Sequence, residues 1–240
     1  MKNFLLSKIR LSWYFVIFFV LYVVLALILP RQKFDSGALT LFSVNSFLYG
    51  FYISPIVSAQ KSRIEELHKI VRGEANAIFA MVLSTKDLPK HLRNQIQDMF
   101  INYLHKTAYG KHTGGEQVYE DMISFCLDYE GEHKAEIDKL LDGLVANQQN
   151  RTMFTMQINN KVFSNEWVIM LMLFSITLSF ILLLDTGSNP AYKVVAALLC
   201  TGLTMLLVIL VKLSSLTHKK AKQVWQPFEK LLDSHFYRID

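Results

Sequence analysis

An all-α membrane protein with four transmembrane helices and a helical cytosolic domain is the fold class this sequence predicts, and three observations carry it. The chain holds four uncharged apolar runs, at 11–30, 37–59, 167–184 and 194–211, each close to the roughly 20 residues a bilayer-crossing helix needs. Its 240 residues are 52% hydrophobic and 12% aromatic, above the usual apolar share of a soluble domain. The polar stretches between the runs carry helical periodicity, with no strand pattern and no internal repeat.

The runs place spans near 11–30, 37–57, 166–184 and 193–213. A basic leader (Lys2, Lys8, Arg10) before the first run also fits a secretory signal. The run is longer than a typical signal core and ends in Leu29-Pro30-Arg31 without small residues for cleavage, so it is retained as a span. Orientation follows from the basic flanks. Lys2, Lys8 and Arg10 precede the first span, Lys212, Lys219, Lys220 and Lys222 follow the fourth, and the loop at 185–192 has no basic residue before Lys193 at the next span. Both termini and the polar middle are therefore expected in the cytosol, against the minor opposing weight of Arg31 and Lys33. A cysteine introduced at Thr113 should react with an impermeant thiol reagent only after cells are permeabilised. Labelling of intact cells would overturn the orientation.

This topology divides the chain into 1–57 (tail and two spans), 58–164 (cytosolic helices), 165–213 (two spans) and 214–240 (cytosolic tail). In the middle region Ile64, Leu67, Ile70, Val71, Ile78 and Val82 continue a helix out of the second span. Asp87-Leu88-Pro89 reads as an N-cap with proline in the next first turn. A second helix runs to about Lys106, 110–115 is a loop, and a third helix covers about 116–129. Gly131 interrupts, and a fourth helix from Glu132 is long enough to run directly into the third span.

The net charge of +5 is unevenly spread. Residues 59–111 hold nine basic and five acidic side chains, +4, whereas 112–142 hold two basic and nine acidic, −7. Basic tails suit anionic headgroups at the inner leaflet of a lipid bilayer. No basic stripe interleaved with stacking aromatics lies outside the spans, so no nucleic-acid partner is expected. Glu116, Glu120, Asp121, Asp128, Glu130, Glu132, Glu136 and Asp138 read first as a solvated helical face, and otherwise as rings drawing cations to a pore mouth.

Enzymatic chemistry finds no footing. The seven histidines (His68, His91, His105, His112, His133, His218, His235) lack the spacing of a metal site, and no phosphate loop or nucleophile elbow is present. No catalytic residue, cofactor or metal is expected. Cys126 and Cys200 fall in different compartments, which excludes a disulfide between them. The four uncharged runs hold no Asp, Glu, Lys, Arg or His, which argues against a proton-coupled transporter.

Within the second span, Ser46-Phe47-Leu48-Tyr49-Gly50-Phe51-Tyr52 sits in a stripe of Ser43, Phe47, Phe51 and Pro55 at four-residue spacing. The segment resembles the second transmembrane helix of the bestrophins, pentameric anion-conducting channels whose corresponding aromatics ring a narrow hydrophobic neck. The run Gly73-Glu74-Ala75-Asn76-Ala77-Ile78, the following Leu88-Pro89 and Tyr103, and Trp225-Gln226-Pro227-Phe228 resemble the bestrophin-like domain family of bacterial membrane proteins.

The resemblance implies a homo-oligomer, a pentamer, in the bacterial plasma (inner) membrane, passing small inorganic ions such as chloride. It implies a pore neck of Ser43, Phe47, Gly50 and Phe51, with Lys61 and Arg63 in a vestibule that concentrates anions. The calcium clasp of metazoan bestrophins has no counterpart, because Glu229-Lys230-Leu231-Leu232-Asp233 offers too few oxygens.

From the residues alone, Phe47 and Phe51 at helical spacing also fit a face packed on lipid or on another helix. Lys61 and Arg63 also fit the ordinary cytoplasmic flank of a span. Ser43 and Asn45 are expected to share an inward face, since polar groups at that depth turn to protein or water. A non-conducting scaffold or sensor and a cation-selective pore of the same fold stand as the alternatives.

Overall fold

A computed structural model describes residues 10–109, 114–185, 190–217 and 223–234. Thr113, most of the 110–115 loop, His112, His218, His235 and the basic residues Lys2, Lys8, Lys219, Lys220 and Lys222 lie outside the described residues. Among the described residues, seven longer helices and one short one follow in order: α1 (Leu11–Ile28), α2 (Ser36–Ser84), α3 (Lys90–Tyr109), α4 (Gly114–Asp128), α5 (Lys134–Asn159), α6 (Ser164–Leu183), α7 (Pro190–Ser214) and α8 (Gln226–Asp233). A single 3₁₀ turn, Gln223–Trp225, leads into α8. No strand occurs among the described residues, only one isolated bridge between Gln32 and Leu184.

Four helical stretches are long and apolar enough to cross a membrane: Leu11–Ile28, part of Ser36–Ser84, part of Lys134–Leu183, and Pro190–Ser214. They coincide with the four uncharged runs. The chain divides into two compact units, one of Met1–Arg63 with Lys161–Ala221, the other of Ile64–Asn160 with Lys222–Asp240.

In the first, apolar unit, α7 packs most extensively against α1 and next against α6. Hydrophobic burial is a weak force between helices in lipid, so close packing and polar ties between them matter more. Ala197 and Cys200, both fully buried, let α7 approach Tyr22 of α1. The Tyr22 hydroxyl and Thr204 Oγ1 share a hydrogen bond of 2.6 Å. Lys212, at the last turn of α7, is buried with its ammonium 4.9 Å from the centre of the Tyr14 ring.

At the opposite end of these helices the α1–α2 connection is tied to the end of α6. Gln32 N donates to Leu183 O at 2.8 Å, and Asp185 N donates to Gln32 O at 3.0 Å. Backbone groups outside the helices thereby find partners, as the edge of an apolar layer requires. Arg31 donates to Ala26 O at 3.1 Å and so satisfies a carbonyl in the last turn of α1.

The second, polar unit gathers the distal part of α2 with α3, α4, α5 and α8 around one core. Leu67, Val71, Ile78, Phe100, Leu104, Tyr119, Leu144 and Phe228 are each buried to within about 1% of completely. The Trp225-Gln226-Pro227-Phe228 segment contributes to this core: Phe228 is fully buried, and Trp225 meets the Phe154 ring edge-on at 5.5 Å between centroids.

Two local expectations are corrected. The fourth polar helix does not run into the third span, because the chain leaves helical geometry after Asn159 and α6 restarts at Ser164. Glu166 marks that restart by accepting the Phe163 N–H at 3.0 Å, satisfying a donor that the new helix leaves orphaned. Pro89 sits at the cap of α3 rather than inside its first turn, accepting the Arg93 N–H through its carbonyl at 3.0 Å.

Candidate functional site

Helix α2 carries the residues singled out for a pore. Its inner face in the first unit consists of Asn45, Tyr49, Tyr52, Ile53, Ile56, Gln60 and Arg63, all buried or half-buried. At about 100° per residue, Ser36, Thr40, Ser43, Phe47, Phe51, Ser54, Ser58 and Lys61 fall in an arc roughly 80° wide on the other side. Every one of these is exposed in the protomer.

Phe47 and Phe51 are 68% and 71% exposed, with their rings stacked at 6.0 Å between centroids and 18° between planes. Two near-parallel rings present the same part of their quadrupole outward. Gly50 borders the stripe, and a Cβ there would meet nothing within 4 Å, so its surface is open. Gly50, Ser54, Ser58 and Ser62 repeat at four-residue intervals along this border. That small-residue ridge is the kind along which membrane helices approach closely.

The stripe differs chemically from the other outward faces of the unit. The exposed large side chains of α1 are Trp13, Phe15, Val16, Ile17, Val20, Leu21, Val24, Leu27 and Ile28, and those of α7 are mostly aliphatic as well. Among the described residues the α2 stripe alternates hydroxyls with phenylalanines, whereas α6 exposes Ser175 and Ser179 among aliphatic side chains. Thr40 and Ser43 donate their hydroxyl protons to Ser36 O and Leu39 O, both at 2.9 Å, which leaves oxygen lone pairs outward.

Two expected neighbours of the stripe point elsewhere. Asn45 does not share a face with Ser43, since two residues turn an α-helix by about 200°. Its amide donates to Leu173 O at 3.1 Å and Thr177 Oγ1 at 2.8 Å, tying α2 to α6. Arg63, expected beside Lys61 in a vestibule, is 3% exposed. Its guanidinium donates to Gln60 Oε1 at 2.9 Å and to Ser214 O at 3.2 Å.

The reason for Arg63's position is the end of α7. Thr217 N bonds to Lys212 O at 3.0 Å and Leu216 N to Leu213 O at 3.2 Å, the two bonds of a Schellman cap, with Leu216 at φ 54° where glycine is usual. The next carbonyl, Ser214 O, receives Arg63, and the cation also suits the negative end of the helix dipole. Only Lys61 of the expected vestibule pair stays on the exposed stripe.

A second polar constellation lies in the core of the polar unit, where the sequence marks no site beyond the run that contains Glu74. Glu74 (α2) is fully buried and receives a hydrogen bond from the Tyr103 hydroxyl (α3) on Oε1, while Oε2 is buried without a partner. The Arg151 guanidinium (α5) lies 3.8 Å from the centre of the Tyr119 ring (α4) and 5.6 Å from that of Tyr103. Tyr119 donates to Leu144 O at 2.7 Å and accepts from Asn147 at 3.3 Å, and Asn150 donates to Asn147 Oδ1 at 2.9 Å.

Burial pushes the Glu74 carboxyl up to about 7, against the opposing pull of the Tyr103 hydrogen bond and the Arg151 charge. Burial raises Tyr103 well above its ordinary value and Tyr119 to about 12. Beside this cluster a void of about 10 Å³ is lined by Tyr103, Thr107, Gly115, Glu116, Arg151, Phe154 and Thr155. A Cβ at Gly115 would overlap Thr107 Oγ1 and lie 3.1 Å from the Tyr103 ring, so glycine keeps this space open. Outside it, a groove of about 540 Å³ is lined by Glu116, Glu120, Gln148, Arg151, Thr152, Thr155, Met156 and Asn159.

Among the described residues no three His, Cys, Asp or Glu side chains converge as metal ligands. Comparison with protein families, with curated proteins and with solved structures finds no match to this chain.

Proposed function

We propose that the chain is the subunit of a bestrophin-like, homo-oligomeric ion channel in a bacterial plasma membrane, with the exposed α2 stripe of each copy turned to a common axis. The observation that carries this reading is the chemistry of that stripe: hydroxyls interrupted by two stacked phenylalanines, in one continuous exposed arc along α2. Polar groups at membrane depth favour protein or water over lipid. A second copy, or a water-filled axis, donates to the oxygen lone pairs left outward; hydrocarbon does not. The small-residue ridge at Gly50, Ser54, Ser58 and Ser62 supports close approach of neighbouring α2 helices.

In this reading Phe47 and Phe51 form a ring that dewets when narrow, and Ser43 marks its outer edge. Lys61 supplies positive charge at the inner mouth, which raises local anion concentration and makes chloride-like anions the preferred cargo. A cation-selective pore is the second reading. It is favoured by the hydroxyl protons of Thr40 and Ser43, which are spent on backbone carbonyls and leave lone pairs for a passing ion.

The reading predicts a closed ring of subunits by native mass spectrometry, a pentamer if the resemblance holds in stoichiometry. It also predicts conductance in planar bilayers under asymmetric potassium chloride. A reversal potential of the chloride sign supports the first reading and the potassium sign the second. A monomer in several mild detergents, or silence at high protein density, leaves a scaffold or sensor.

A further inference from the structure

The strongest feature the pore reading does not use is the carboxyl of Glu74. Four helices close on it: α2 itself, α3 through Tyr103, α4 through Tyr119 and α5 through Arg151. Among the described residues, these three side chains are the titratable and charged groups that act on it. A charge so fully buried is normally met by hydrogen bonds on both oxygens. Here Tyr103 serves Oε1 alone and Oε2 is left unpartnered, an arrangement that fits a carboxylic acid better than a carboxylate.

A small polar void lies between this site and the outer groove. Tyr103, which holds Oε1, forms one wall of the 10 Å³ void, a space about the size of one water. A second buried and unpartnered oxygen, Thr107 Oγ1, lines the same void. Exposed Glu116 lines both the void and the groove beyond it, with Oε1 held by Thr155 at 3.3 Å. Carboxyl, phenol, water-sized void and solvated carboxylate thus adjoin one another from Glu74 out to the groove.

We propose that Glu74 is a proton-binding site of the polar unit, exchanging through Tyr103 and the adjoining void, and that loss of its proton loosens the packing of α2 against α3 and α5. The bound form is the neutral acid packed as described. The ionised form is a carboxylate that must gather further donors, with Arg151 the cation whose charge already acts on it. The proposal does not depend on whether the chain conducts ions.

The sign of the pH effect follows from the upward shift. Glu74 binds its proton more tightly folded than unfolded, so its stabilisation is complete below about 4.5, its ordinary value, and falls as pH rises towards about 7. Above that the contribution is flat.

The test is infrared difference spectroscopy on the full chain in lipid nanodiscs, titrated from about pH 5 to about pH 9, with thermal unfolding followed over the same range. The wild type should lose a protonated-carboxyl band with a midpoint near 7. Glu74→Gln should lack that band and flatten the pH dependence of the unfolding temperature. Tyr103→Phe and Arg151→Gln each remove a group that favours the carboxylate, so each should move the midpoint upward by about one unit. These two variants keep the proposal testable if Glu74→Gln does not fold. A band that persists in Glu74→Gln, a wild-type midpoint in the ordinary glutamate range, or a midpoint unmoved by both other variants would overturn it.

Discussion

Replacing Phe47 and Phe51 together with alanine should raise single-channel current several-fold, lower ion selectivity, and leave the fold of the protomer almost untouched. The structural half follows from exposure: at 68% and 71% exposed, the two rings bury little against their own subunit. Their removal therefore leaves no large cavity, and the cost stays far below the 3–5 kcal/mol typical of Phe→Ala in a packed core. The conductance half follows from dewetting. A ring of phenylalanines narrow enough to exclude water imposes a barrier, and each 1.4 kcal/mol removed from it speeds passage by about tenfold.

Single-channel recording and thermal unfolding of the same double variant separate the readings. Raised current with unchanged unfolding places the rings at the neck. Lost current and a protein that no longer assembles assign the stripe to helix packing between copies. Unchanged current with assembly intact leaves the stripe facing lipid, and the pore must then be sought elsewhere.

The spans were legible because hydrocarbon imposes so crude a filter. An uncharged run of the right length is sufficient warning, and α1, the first part of α2, α6 and α7 lie where the runs lie. The polar helices were legible for a different reason: Leu67, Val71 and Ile78, or Phe100 and Leu104, keep helical spacing and are buried in register.

Partners of the buried polar side chains were not legible. Asn45, Arg63 and Glu74 each stand where the apolar register of α2 calls for a hydrophobe: Asn45 four residues before Tyr49, Arg63 four before Leu67, Glu74 three after Val71. That register was the available signal. It reports that a polar group faces inward, but not which carbonyl, hydroxyl or void awaits it, because those come from α6, α7 and α3, distant in sequence. Hydropathy averages such residues into the polar background. Arg63 is accordingly expected beside Lys61, in a vestibule or as the flanking charge of a span, and not inside the unit.

Arg63 and Lys61 are two residues apart, and their substitutions should act on different properties. Arg63→Met leaves Ser214 O and Gln60 Oε1 buried without their cationic donor and removes a positive charge from the end of α7. Hydrogen bonds from a charged group contribute about 1.5–3 kcal/mol each, and the helix terminus about 0.3–1 kcal/mol more, so allowing for methionine's own packing the apolar unit should lose about 2–4 kcal/mol. Arg63→Lys keeps the charge but not the fork, and should recover part of that loss.

Lys61→Glu should change unfolding by less than about 0.5 kcal/mol, because an exposed side chain away from any buried partner contributes little to the fold. In the proposed pore it also reverses the charge at the inner mouth, and there it should shift the reversal potential towards cations in asymmetric potassium chloride. The folded fraction of Arg63→Met should keep the wild-type reversal potential. If Arg63→Met instead shifts selectivity while unfolding like the wild type, its guanidinium faces the ion path in the assembled protein, and the α7 cap is not its principal role.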